Sequence, residues 1–181
     1  MAICYNKLEQ ATAADSLSTG IYQGDAMIKI RIPGWKEISL FHLVLDMNGT
    51  LTLDGRLIEG VEGNLLSLSS NISIHILTAD TFGTAHEVFR DLPVSLDLIP
   101  GKDQIRAKEA FLQGLEGDAA AMGNGRNDAG MLGSAAVGIA ILGPEGAASQ
   151  TVQASDVVVR GVNDGLGLLL NPGRLVATLR R

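Results

Sequence analysis

"LVLDMNGTLTLDG", residues 43–55, carries an apolar run into an aspartate, an Asn-Gly pair and two threonines before a second turn signal at Asp54-Gly55. A short continuous apolar run closed by turn residues reads as a strand buried on both faces, and it leaves Asp46 at the strand's carboxyl end. Upstream, "MIKIRI" alternates apolar and polar residues and "PGWKE" carries turn residues. "ISLFHLVLD" then alternates before becoming continuously apolar, which predicts a hairpin feeding a central strand. Downstream, short apolar runs at 74–78, 94–98, 119–123, 136–141 and 156–159 alternate with stretches of helical spacing. Those stretches fall at about 60–70, 81–91, 102–115, 126–133, 145–152 and 161–179. This rhythm predicts an α/β, Rossmann-like fold: a central parallel sheet with helices on both faces, preceded by a β-hairpin. Residues 1–26 show little periodicity and are expected to be a loosely ordered extension, with residues 27–181 as the domain.

Composition narrows the function classes. A chain of 181 residues with 46% hydrophobic content is long enough to bury one substantial core. Its 14 basic and 20 acidic residues give a net charge of −6 without a basic stripe, which argues against nucleic acid as a partner. No apolar segment reaches the roughly 18 residues of a membrane span. The opening "MAICYNKLEQ" lacks the basic-then-apolar layout of a secretory leader, and the one cysteine, Cys4, has no internal disulfide partner. A cytoplasmic protein is expected. His42, His75 and His86 are scattered along the sequence and are expected in packing or surface roles rather than at a metal.

In a doubly wound fold, ligands collect at the carboxyl ends of the strands. Three post-strand segments there carry chemistry: Asp46 to Thr50, Leu77 to Asp80, and Gly123 to Asp128, the last reading "GNGRND". Two carboxylates beside backbone N–H groups and hydroxyls suit a hard cation such as Mg2+, which takes oxygen ligands and leaves room for phosphate oxygens. Lys102 and Lys108, ahead of the fourth strand of the series, are the available counter-charges. Taken alone, each piece has an ordinary reading: an Asn-Gly turn, a capping threonine, a solvated lysine.

"LDMNGTLT", "ILTAD" and "AAAMGNGRNDAGML", in this order and spacing, resemble motifs one, two and four of the haloacid dehalogenase superfamily. The likeness spans residues 27–181 and is greatest to the phosphorylation domain of P-type ATPases and their soluble relatives. It implies that Asp46 is the nucleophile forming an aspartyl-phosphate and also a metal ligand. It implies that Gly49, Thr50, Thr78 and Ala79 hold the phosphoryl group together with Lys108, the motif-three lysine. Lys102, in "PGKDQ", stays open as the alternative. Asp46, Asn48, Asn124 and Asp128 are the implied metal set.

Two positions depart from the pattern. Phosphatases of the superfamily have an aspartate two residues after the nucleophile as general acid and base, where this chain has Asn48. Its side chain cannot shuttle a proton, a form of catalysis worth about 10² to 10⁴ in rate, so slow hydrolysis of the phosphoenzyme is expected. Asn124 stands where a metal-binding aspartate is common, which predicts weaker Mg2+ binding.

Only about thirty residues separate Asp46 from Thr78, and a similar number separate Thr78 from Lys108, so no cap domain fits. A capless member needs its substrate or a neighbour to close the site, so a homo-oligomer acting on a phosphorylated small molecule or a phosphoprotein is expected. "LTLDGRL" is expected to form a small hairpin flap. The competing reading is a pseudoenzyme that keeps the scaffold to bind phosphate or a partner.

Overall fold

The structure, a computed structural model, describes residues 27–79, 84–99 and 103–181. The expected extension at 1–26, Asp80 and Lys102 lie outside the described residues. Strand β1 (Ile28–Arg31) pairs antiparallel with the first half of β2 (Glu37–Asp46), Ile28 opposite Leu40. The second half of β2 then runs between two parallel neighbours. A two-stranded flap, β3 (Thr52–Leu53) and β4 (Arg56–Leu57), follows; helix α1 (Val61–Ser69) leads from it to β5 (Ser73–Thr78). Helix α2 (Thr84–Val88) precedes β6 (Ser95–Leu98), and α3 (Gln104–Gln113) precedes β7 (Asp118–Gly123). A 3₁₀ turn (Arg126–Asp128) and α4 (Ala129–Ser134) lead to β8 (Val137–Ile141), and α5 (Ser149–Ala154) leads to β9 (Val157–Val159). Helices α6 (Val162–Leu170) and α7 (Pro172–Leu179) complete the described chain.

The main sheet runs β6-β5-β2-β7-β8-β9, with every neighbouring pair on this path parallel. The chain builds outward from β2 in one direction and then returns to start again on its other side with β7. The order therefore reverses between β2 and β7, and the crevice outside the strand ends at that reversal is where such a sheet binds ligands.

The period of two along β2 sorts its side chains between two cores. Leu43 and Leu45 join Ile76, Met122 and Ile139 under Leu65 of α1 and Leu166 of α6. Val44 faces the other way, with Ala119, Ala121 and Ala140 against Leu112 of α3 and Met131 and Leu132 of α4. Each fully buried leucine or isoleucine contributes about 1.5–3 kcal/mol through removal of apolar surface from water. The alanines of the second face let α3 and α4 lie close to the sheet. Asp46, two residues beyond Val44, is thereby directed to the α3 side.

The predicted strands and the α/β class agree with the structure; four helical stretches differ. Of the stretch 81–91, the described helix covers only Thr84–Val88 and gives way to turn from residue 89. The expected helix 161–179 is two helices, because Pro172 brings no N–H and pushes Asn171 out of helical geometry (φ −130°, ψ 72°). The stretch 126–133 opens as the 3₁₀ turn before α4. The stretch 145–152 is a turn over residues 143–146 followed by α5, since Pro144 favours a turn corner and Gly146 takes φ +77°. The flap turns at Asp54 (φ 50°) and Gly55 (φ 76°), two left-handed residues that suit a tight hairpin. Among the described residues no cap is inserted, and no helix is long and apolar enough to cross a membrane.

Candidate active site

Lys108 lies on the buried face of α3, one turn before Leu112, and is only 2% exposed. Its aliphatic stem follows the second core and its ammonium emerges at the switch point. There Nζ donates to Asp46 Oδ1 at 2.5 Å and to Asp128 Oδ1 at 2.7 Å. Asp128 is fully buried and Asp46 is 8% exposed.

One ammonium thus serves two buried carboxylates. Burial, reinforced by the charge of Asp128, pushes the Asp46 carboxyl up to about 7, against the opposing pull of Lys108 and the smaller influence of the nearby Thr50 hydroxyl. For Lys108 burial works against the charge, but the Asp46 and Asp128 carboxylates outweigh it and hold the amine above its ordinary value. The lysine is a fixed cation; the carboxylate pair carries the electrostatic tension.

Glycines make the room for this cluster. A Cβ on Gly123 would fall 2.5 Å from the carboxyl carbon of Asp128, so the strand must end in glycine for that carboxylate to fold back on it. Asp128 Oδ2 accepts the Gly125 N–H at 2.8 Å. Asn124, 7% exposed, accepts from the buried Thr50 hydroxyl at 3.1 Å and donates to the Gly146 carbonyl at 3.2 Å. Gly49 (φ +78°) passes so close that a Cβ there would stand 2.5 Å from Glu145 Oε2 and 2.7 Å from Asn124 Nδ2. The loops after β2, β7 and β8 therefore converge on Gly49 and Asn124.

The remaining sequence-derived positions are placed as follows. Asn48 is exposed in the loop after β2, and its Oδ1 accepts from the Thr52 hydroxyl at 3.3 Å. Thr78, at the end of β5, is buried and interacts with its surroundings, whereas Ala79 is exposed. Sequence reasoning missed Glu145, because the stretch around it reads as helix; the turn signal "GPEG" was the available clue. It also treated the histidines as scattered, but His42 Nδ1 and His75 Nε2 lie 3.1 Å apart across β2 and β5, and His75 Nδ1 is 3.5 Å from Asp97. Adjacency of the two strands, counted back from Asp46 and Thr78, carries that signal. His86 belongs to α2 and is not part of this pair.

The donors at the switch point fit a hard divalent cation in type: the Asp46 and Asp128 carboxylates, the Asn124 amide oxygen and backbone carbonyls are all oxygen. The missing Cβ atoms of Gly49 and Gly123 are what let the oxygens of Asn124, Glu145 and Asp128 come up against the loops after β2 and β7. Among the described residues, no three His, Cys, Asp or Glu side chains are grouped closely enough to hold a metal ion by themselves. A cation here would depend on neutral oxygens and water, as Mg2+ commonly does.

No protein-family model matches the chain. The chain is 53% identical over 60 residues to Uncharacterized protein MJ0073 of Methanocaldococcus jannaschii, a match covering 33% of the chain and 64% of that protein. It is 46% identical over 39 residues to Uncharacterized protein MJ0072 of the same organism, covering 22% of the chain and 89% of that protein. Among solved structures, the cobalt-bound deoxy-D-mannose-octulosonate 8-phosphate phosphatase of Haemophilus influenzae aligns with a TM-score of 0.60 at 15% identity. That alignment covers 72% of this chain and 87% of the other. A putative HAD superfamily (subfamily III A) hydrolase from Legionella pneumophila aligns with a TM-score of 0.58 at 18% identity, covering 77% and 87%. The Moraxella catarrhalis 3-deoxy-D-manno-octulosonate 8-phosphate phosphatase, in complex with magnesium, phosphate and KDO, gives 0.56 at 22% identity, covering 78% and 94%. A zinc-transporting PIB-type ATPase gives 0.53 at 21% identity over 67% of this chain and 20% of that one.

Proposed function

We propose, for a chain that belongs to one family with MJ0072 and has the haloacid dehalogenase fold, a phosphohydrolase or phosphotransferase that works through an aspartyl-phosphate on Asp46. The observation that carries this reading is the position of Lys108, whose ammonium joins the strand-end carboxylate of Asp46 to Asp128 within 2.7 Å. Apolar residues in place of all three members would stabilise a mere scaffold at least as well, because buried ion clusters are weak sources of stability. Their retention favours chemistry.

In this reading an ionised Asp46 oxygen attacks phosphorus in line, one P–O bond forming as the bond to the leaving oxygen breaks. Lys108 holds the transferring phosphoryl oxygens and offsets their charge, while Thr78 and the N–H groups of Ala79 and Thr50 position them; the Gly49 N–H is committed to the Thr52 carbonyl at 2.9 Å, so Gly49 contributes space rather than a donor. The leaving oxygen takes its proton from solvent, since the Asn48 amide has none to give. Water then attacks the phosphorus, releasing inorganic phosphate and returning Asp46. Mg2+, held by Asp46, the Asn48 carbonyl, Asn124 and Asp128, would supply further neutralisation of phosphate charge. Magnesium and phosphate bound in the Moraxella catarrhalis phosphatase support that choice. The substrate class is a phosphorylated small molecule or phosphoprotein, the setting the cytoplasm, and the assembly a homo-oligomer that covers the open site.

A second reading, a pseudoenzyme that binds phosphate or a partner, draws on Asn48 and Asn124 together. One experiment separates them. The protein is incubated with Mg2+ and acetyl phosphate or a chromogenic aryl phosphate, with Asp46→Asn as control. Acid-stable, hydroxylamine-sensitive phosphate on the wild type alone supports the enzyme; neither label nor turnover in protein that binds Mg2+ leaves the pseudoenzyme.

A further inference from the structure

Among the described residues, Glu145 is the acidic side chain at the switch point that neither the Lys108 cluster nor the motif pattern accounts for. It sits on a short, well-tied turn. The Gly146 N–H donates to the Gly143 carbonyl at 3.2 Å, with Pro144 and Glu145 as the two corner residues. Proline at the first corner fixes φ there, and Gly146 (φ +77°) takes the left-handed conformation needed to leave the turn. Both ends are anchored. The Leu142 and Gly143 N–H groups donate to the carbonyls of Val159 and Arg160, and Ala148 N–H donates to the Asn124 carbonyl at 2.8 Å.

The turn is also bound to Asn124 through the Asn124 Nδ2 to Gly146 carbonyl bond. Its placement brings Glu145 Oε2 to 2.5 Å from the point where a Gly49 Cβ would sit. That point lies 2.7 Å from Asn124 Nδ2 and 3.1 Å from Asn124 Oδ1. A carboxylate therefore stands beside the amide at the position where a charged ligand is missing, and the bare Cα of Gly49 is what admits it.

We propose that Glu145 supplies the negative charge that Asn124 lacks, acting as a positioning residue that binds the water shell of a divalent cation held by Asp46 and Asp128. This rests on the active-site reading above and goes beyond it, because it assigns a role to a residue outside the three motifs. Water-mediated action agrees with the grouping of side chains, since Glu145 does not close a direct three-acid cluster. Affinity at hard-cation sites follows the number of ligand charges, and outer partners of a metal site typically contribute about 10- to 100-fold in affinity.

The test titrates Mg2+ alone into the full-length protein by calorimetry, with Glu145→Gln, Asp128→Asn, and Glu145→Gln combined with Asn124→Asp. Melting temperatures of the metal-free proteins are recorded alongside. Glu145→Gln is expected to weaken Mg2+ about 10- to 100-fold with an unchanged metal-free melting temperature. Adding Asn124→Asp should recover most of the loss, because the charge returns one position away. Wild-type affinity in Glu145→Gln, with Asp128→Asn impaired, would overturn the role of Glu145 and leave the active-site reading standing. A loss that Asn124→Asp does not restore would overturn it too, by showing that shape rather than charge matters. A wild type that neither binds Mg2+ nor takes up phosphate would overturn both.

Discussion

The ammonium of Lys108 stands 2.5 Å from Asp46 Oδ1, deep enough that the lysine is 2% exposed. Replacing it with methionine keeps most of the buried stem volume and removes the charge, leaving the Asp46 and Asp128 carboxylates to face each other. Breaking a buried ion pair from one side costs about 3–5 kcal/mol. Lys108→Met is therefore expected to lower unfolding stability by that amount at pH 8 in urea titrations without added metal. The loss should shrink at pH 5, where Asp46 takes up a proton, and phosphoenzyme formation should fail at either pH.

The raised Asp46 carboxyl gives its own pH signature. Its folded value, about 7, lies above the ordinary 3.8, so between these limits the folded protein binds a proton that the unfolded chain releases. The stability this proton contributes is fully present below about pH 4 and is lost as pH rises through about 7. His75 has the opposite sign: burial, aided by the charge of His42, holds it below its ordinary 6.5, so it lowers stability as pH falls through that range. The difference between wild type and Asp46→Asn cancels the histidine contribution. Thermal melts in chelator from pH 5 to 8 should show the wild type losing stability relative to Asp46→Asn as pH rises.

Much of this arrangement was legible in the sequence, and for physical reasons. The continuous apolar run before Asp46 marks a strand covered on both sides, and strand-helix alternation then places every post-strand segment along one sheet edge. The meeting of Asn124 with Thr50 and of Asp128 with Lys108 follows from that topology. What hydrophobic spacing could not supply was loop detail. Glu145 lies in a turn whose small flanking residues mimic helical spacing, and the His42–His75 pair depends on register between two parallel strands rather than on any local pattern. Pro172 did carry the signal that splits 161–179, but the leucines on either side keep the helical period through the break.

Gly49 and Gly55 separate backbone strain from crowding, because both are left-handed, with φ +78° and +76°, yet only one is enclosed. A Cβ on Gly55 meets nothing within 4 Å, whereas one on Gly49 meets Glu145 and Asn124 below 3 Å. Alanine at Gly55 should therefore cost only the left-handed penalty, about 1–2 kcal/mol, and leave phosphate uptake unchanged. Alanine at Gly49 should cost more and should also weaken Mg2+ binding, since Glu145 and Asn124 must move apart. Urea unfolding and metal titration of the two variants provide the comparison.

Asn48 is the position at which the proposed slow step can be reversed by one atom exchange. It lies two residues beyond Asp46, exposed to solvent, and its Oδ1 is already oriented by the Thr52 hydroxyl at 3.3 Å. An aspartate there can accept the same hydrogen bond, so Asn48→Asp is expected to fold as the wild type does. Its new carboxyl group can protonate the leaving oxygen and then take a proton from the attacking water, which the amide cannot. General acid and base catalysis of this kind is worth about 10² to 10⁴ in rate. In a chase experiment on phosphorylated protein, Asn48→Asp should shorten the lifetime of the Asp46 phosphate by a factor within that range, with less effect on its formation from a reactive donor such as acetyl phosphate. An unchanged lifetime would mean that water access or phosphate release, rather than proton transfer at position 48, limits the second half of the reaction.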